Sequence, residues 1–197
     1  MRTGLVVGLA MFCSAFLVET ASAKIDVRVN TTTYPIVGST GYDLLKQMDR
    51  KGPKHGFLTR AIAQTRYSVK WDISWKSQNR VCRVDNVSAV LNIHYSYPKV
   101  ATRMSPALGK RWKAFMRGVQ KHEEMHGSIA RRMVRAAEKS ISGLAVKNDP
   151  ACKRAKSEVK RRVQAIYARY EADQVAFDDR EHRDNGNVSK LVERLAR

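Results

Sequence analysis

Two hydrophobic repeats divide the chain. From Thr65 the period is two: Tyr67, Val69, Trp71, Ile73 and Trp75 fall on one face, and Ser68, Lys70, Asp72 and Ser74 on the other. That alternation predicts a strand with one buried face. After a turn at Ser77-Gln78-Asn79, Val87, Ala89, Leu91, Ile93 and Tyr95 repeat it up to Pro98, which predicts an antiparallel partner. His94 falls on the polar side of that second strand and reads as a surface residue. Beyond Ser105 the spacing changes to three and four. Trp112, Phe115, Met116, Val119, Ile129, Ala130, Met133, Ala137 and Ile141 form one stripe, with Lys and Arg between them, so this is one long amphipathic helix. Ser105 is placed to cap it and Pro106 to open it, and it runs to about Ser142-Gly143.

Weaker patterns fill in the rest. Ile25 to Val29 alternates and reads as a first strand, followed by Tyr34-Pro35-Ile36 leading to Gly38. Ser39 or Thr40 can cap a short helix through Leu44, Leu45 and Met48, which stops before Gly52-Pro53. Asn148-Asp149-Pro150 makes a turn. A last helix carries Val159, Val163, Ile166, Tyr167 and Tyr170 and reaches Phe177 to His182 before Asn185-Gly186-Asn187 breaks it. The fold class this predicts is α+β, a small antiparallel sheet packed on long helices, with a single domain over residues 24–187 and a tail over 188–197 that has room for one short helical piece.

Composition changes this picture at the beginning of the chain. The 197 residues suffice for one domain with a core. Arg2, the apolar run from Leu5 to Leu17 and Ala21-Ser22-Ala23 read as a secretory signal peptide over residues 1–23, with cleavage before Lys24. No later run is long enough to span a bilayer, so the mature chain is expected to be exported, periplasmic or secreted, without a transmembrane segment. Cys13 lies in the signal, which leaves Cys82 and Cys152 as an even pair in an oxidising compartment. A disulfide between them is the expectation; zinc ligation is the alternative, weakened by the lack of any C-x-x-C.

The net charge is +19, and it favours polyanionic partners, an anionic envelope component among them. The bases are spread along helix faces rather than gathered with aromatics, which argues against a specific nucleic-acid site.

The candidate chemistry sits in the long helix. His122-Glu123-Glu124-Met125-His126 fits H-E-x-x-H, in which two histidines one turn apart can hold one metal ion and the glutamate can serve as general base. Both histidines fall in the gap of the apolar stripe, so they point into the domain, where unpartnered imidazoles are costly. Two core histidines with hydrogen-bond partners are the alternative. Glu124 lies about 100° further round and reads as a surface charge. Gly127 leaves one side of the helix uncovered, which would admit substrate or a packing neighbour equally well.

Catalytic zinc needs a third protein ligand. The metzincin extension is excluded, because Ile129 and Arg132 stand where it asks for Gly and His. Glu158 and Glu171 on the last helix are open candidates. The cluster Asp178, Glu181, His182 is richer, since Asp178 and His182 are four apart and share a face if the helix persists.

The chain resembles a known family, the bacterial predicted secreted zinc-dependent proteases, catalogued as a domain of unknown function with an H-E-x-x-H helix. The resemblance rests on Tyr34 to Gly38 and Gly52-Pro53, Thr65 with the Trp71 to Trp75 strand, Cys82 and its strand to Pro98, Trp112 through His126, and Phe177-Asp178. It implies a zincin-like fold and peptidase activity. The family tends to end in Tyr-Asp-x-x-Thr-x-His-Gly, whereas here Glu181 takes the Thr position and Arg183 the His position. His182 comes one residue early. Either His182 serves as third ligand after a small backbone adjustment, with Asp178 as the alternative, or this member has lost that ligand.

The reading that follows is an exported zinc metallopeptidase acting on a peptide or protein substrate. His122, His126 and His182 (or Asp178) hold Zn2+ and Glu123 is the general base. The alternative is a zinc-binding but non-hydrolytic basic envelope protein that docks on an anionic surface.

Overall fold

The computed structural model describes residues 24–55 and 59–197. The stretch read as a signal peptide lies outside the described residues. Strand β1 (Lys24–Ile36) leads to helix α1 (Gly41–Lys51), then a small antiparallel pair, β2 (Lys54–His55) and β3 (Thr59–Arg60). Two long strands follow, β4 (Gln64–Gln78) and β5 (Val81–Val100). Helix α2 (Pro106–Ile141) is next, then β6 (Ala145–Lys147), helix α3 (Lys153–His182) and helix α4 (Asn187–Ala196).

The architecture is α+β, but the sheet is mixed rather than antiparallel. Its order is β1-β5-β4, with β6 beside the start of β5. β4 and β5 form the expected antiparallel hairpin through Asn79 and Arg80, both at positive φ. Two such residues make the turn whose twist matches that of the strands. The correction concerns β1, which runs parallel to β5 along its whole length, Val27 opposite Leu91 and Tyr34 opposite Pro98. Alternation reports which face of a strand is buried; it carries no information about which strand lies alongside, or in which direction.

Where β4 and β5 pair, the register slips between Ser74 and Trp75 and leaves Asp85 unmatched. This bulge lets Cys82 and Val84 join Val87, Ala89, Leu91, Ile93 and Tyr95 among the buried residues of β5. That face carries α2, capped by Ser105 with Pro106 at its first position as expected. Leu91, Ile93, Phe115, Ile129 and Met133 meet there in the main core, joined by Leu44 and Met48 of α1. The hydroxyl of Thr40 caps α1, and Asp43 answers with its carboxylate on the Thr40 amide.

A disulfide joins Cys82 at the start of β5 to Cys152 at the N-terminus of α3. α3 thus starts tied to the sheet and then runs back along α2, Trp71 of β4 donating its indole hydrogen to the Tyr167 hydroxyl at 2.8 Å. Residues 188–197, set apart above as a tail, belong to the domain. They form α4, whose Leu195 is 1% exposed in the main core and whose Leu191 packs on Gly118 of α2.

Candidate metal centre

Two helices build the centre. On α2, His122 and His126 stand one turn apart, ring centroids 4.8 Å from each other and Nε2 atoms 3.2 Å apart. The C-terminal half of α3 crosses them with Gln174, Asp178 and His182, spaced by four and so on one face. Phe177 closes one side, stacked on His122 at 4.9 Å and edge-on to His126 at 5.1 Å.

Asp178 Oδ1 lies 2.9 Å from His126 Nε2 and 3.2 Å from His122 Nε2. The hydrogens decide what this means. Gln174 donates its amide to the His126 backbone carbonyl at 3.3 Å, which turns its Oε1 toward His126 Nδ1 at 2.5 Å. Nδ1 must therefore carry a proton. In the neutral ring Nε2 is then a bare lone pair, aimed at a carboxylate oxygen. Two acceptors at that distance need a cation between them, either a proton on the ring or a metal ion.

The donor set fits a metal. Bonds of about 2.0–2.1 Å in a tetrahedral shell put ligand atoms about 3.3 Å apart, close to the spacings of His122, His126 and Asp178. His182 adds a donor at the rim: His122, Asp178 and His182 form a group that could hold a metal ion, each offering a ligand atom within 4.8 Å of the others. His122 Nδ1 is buried without a hydrogen-bond partner, and Glu181 Oε2 is 3.8 Å away.

Electrostatics follow from this packing. Burial pushes the carboxyl of Asp178 up, but the hydrogen bonds to His122 and His126 outweigh it and hold the group well below the usual carboxylate range. Burial pulls His126 down; its bonds to Asp178 and Gln174, with the charges of Asp178 and Glu123, leave it above its ordinary value. His182 is held low by burial, then by the neighbouring His122. Glu123 is 6% exposed, and burial raises its pKa. The Thr65 hydroxyl, donating to Oε2 at 2.6 Å, partly offsets that rise.

The other candidates go elsewhere. Glu158 is bonded to Arg161 and Arg162, about 20 residues and hence about 30 Å of helix before Asp178. Glu171 is exposed and accepts from the Tyr67 hydroxyl at 3.3 Å. Neither reaches the centre. Glu124 is exposed, as expected, and His94 pairs with Thr32 at 3.0 Å on the outer side of the sheet. The uncovered side of Gly127 admits no substrate, because the Tyr95 hydroxyl of β5 fills it.

Sequence reasoning missed Gln174 and Thr65. Gln174 was within reach, four residues before Asp178 on a helix already predicted to persist. Thr65 stood among the residues that carry the family resemblance but without a role, for nothing in a strand's alternation says that one hydroxyl will meet a glutamate 58 residues away.

No curated protein and no solved structure matches the chain. The family described as bacterial protein of unknown function (DUF922) matches residues 31–186, and the chain belongs to that family.

Proposed function

We propose that the protein is an exported zinc metallopeptidase of zincin-like build. The observation that carries the reading is the meeting of His122 Nε2, His126 Nε2 and Asp178 Oδ1 at 2.9–3.2 Å next to a buried glutamate. Three protein donors leave a fourth position free, the arrangement of catalytic rather than structural zinc. Asp178 is the third ligand in this reading, and His182 stands at the rim. The resemblance to predicted secreted zinc-dependent proteases points the same way.

Zinc supplies Lewis acidity there when bound, acidifying water and polarising a carbonyl oxygen. Everything else falls to the chain. Glu123 accepts the proton of the attacking water and returns it to the leaving amine, and burial suits it to that exchange by raising its proton affinity toward neutral pH. Thr65 fixes one carboxylate oxygen, so the other is left to face the water. Gln174 sets the tautomer of His126 and thereby presents Nε2 as a donor.

The test is zinc content by mass spectrometry beside hydrolysis of a denatured-protein substrate. Wild type should carry about one zinc per chain, His122→Ala none, and Glu123→Gln should keep zinc while losing hydrolysis. A chain that takes up no zinc after reconstitution overturns the reading. Zinc retained by both wild type and Glu123→Gln without hydrolysis by either favours the second reading, a non-hydrolytic zinc protein docking on an anionic surface. The exposed run Lys113, Arg117 and Lys121 on the outer face of α2 supports that second reading.

A further inference from the structure

Away from the metal centre, α2 and α4 border a pocket of about 380 Å³ that is open to solvent on one side. Its floor is apolar, made by Ala114 and Phe115 of α2 and by Leu191 and Leu195 of α4. Its rim is cationic, with Lys110 and Arg111 on one side and Arg194 and Arg197 on the other. Among the described residues no acidic side chain lines it, and none of these four bases belongs to an ion pair. Arg111 is half-buried beside that apolar floor. A guanidinium partly withdrawn from water against apolar surface gains from an anion at its accessible end.

We infer that this cavity binds a single-chain anionic amphiphile, its apolar chain on the Ala114–Leu195 floor and its carboxylate or phosphate head on Arg111 and Arg194. The volume lies within the range of small-molecule sites, and apolar walls with a few convergent polar groups are their usual composition. The planar guanidinium of Arg111 matches an oxyanion, and the lysine adds a point charge. Neither half of the ligand suffices alone: a free inorganic anion leaves the floor wet, and a neutral chain leaves the bases of the rim without a counter-ion. A cationic chain of the same length would meet four like charges. Further bases on the outer face of α2, Lys113 and Arg117, raise the local concentration of any anion approaching this end of the helix.

The site stands on residues that the metal centre does not use, so its test is independent of zinc. Dodecanoate, titrated below its micelle concentration into the full chain, should bind saturably with one molecule per chain. Fluorescence of Trp112, stacked on Phe115 at 5.5 Å, would report it. Arg111→Leu with Arg194→Leu should weaken binding at least tenfold, and Ala114→Trp, which fills the cavity from an exposed helix position, should abolish it with the circular dichroism spectrum intact. Inorganic phosphate and dodecyltrimethylammonium should not bind at comparable concentrations, and His122→Ala should bind as wild type does. Dodecanoate that fails to saturate, that binds Ala114→Trp unchanged, or that is matched by the cationic amphiphile overturns the inference.

Discussion

At the scale of single residues, Gln174 is the clearest case of a side chain whose importance lies in another's orientation. It holds the His126 proton on Nδ1, so on the proposed zinc reading Gln174→Ala should weaken zinc binding about 10- to 100-fold, the usual cost of losing an outer partner of a ligand. Asp178→Ala should lose zinc entirely and His182→Ala should keep it. Competition against a chromophoric chelator reads all three, and zinc loss in His182→Ala as complete as in Asp178→Ala would reassign the third ligand. Gly127 is a second such residue. Ala is favoured over Gly in a helix by about 1 kcal/mol. Here its Cβ would collide with the Tyr95 hydroxyl, and overpacking of a core costs about 1–3 kcal/mol. The collision wins, so Gly127→Ala should be less stable than wild type by about 1 kcal/mol in urea melts. Tyr95→Phe should restore it, since the nearest ring atom, Cζ, then lies 3.2 Å away.

At the scale of elements, the start of α3 decides where its far end arrives. Cys152 caps the helix in the left-handed conformation and supplies no side-chain cap bond. Asp149 takes that role, accepting from the Ala155 amide at 2.8 Å. Burial opposes its ionisation, but the amides of Ala155, Arg154 and Lys153 outweigh burial and depress its pKa. A carboxyl depressed by folding contributes its stability above the ordinary carboxyl range of about 4 and loses it as pH falls through the folded value. Asp149→Asn should therefore melt below wild type near neutral pH, and the gap should close in acid. Thermal melts at about pH 7 and about pH 3 measure it; a gap that persists in acid would place the anchoring in the hydrogen bonds alone.

At the scale of the whole molecule, α4 is what turns two long helices and a sheet into one core. α4 packs on α1, α2 and α3, and Leu195 is fully buried in the main core, so Leu195→Ala should cost about 2–5 kcal/mol. The urea midpoint should fall at unchanged slope. A cost below about 1 kcal/mol would mean that α4 lies on the domain rather than in it. The +19 charge acts at this scale too, setting the field that meets anions without fixing any one contact.

Much of this was legible in the residues themselves. The alternation of Tyr67 to Trp75, the stripe from Trp112 to Ile141 and the Ser105-Pro106 start are local properties, because periodicity is imposed by the geometry of the element that each residue occupies. The pairing of His122 with His126 is likewise local, one turn of one helix. The parallel docking of β1 on β5, the place of α4 in the core, and the arrival of Asp178 beside His122 and His126 with His182 at the rim and Glu158 and Glu171 elsewhere all depend on residues far apart in sequence. The Cys82–Cys152 link and the packing of α3 on α2 fixed the crossing that forms the centre, and the sheet pairing and the seat of α4 were fixed by their own long-range contacts, for spacing along a chain states which side chains share a face and never what that face will meet.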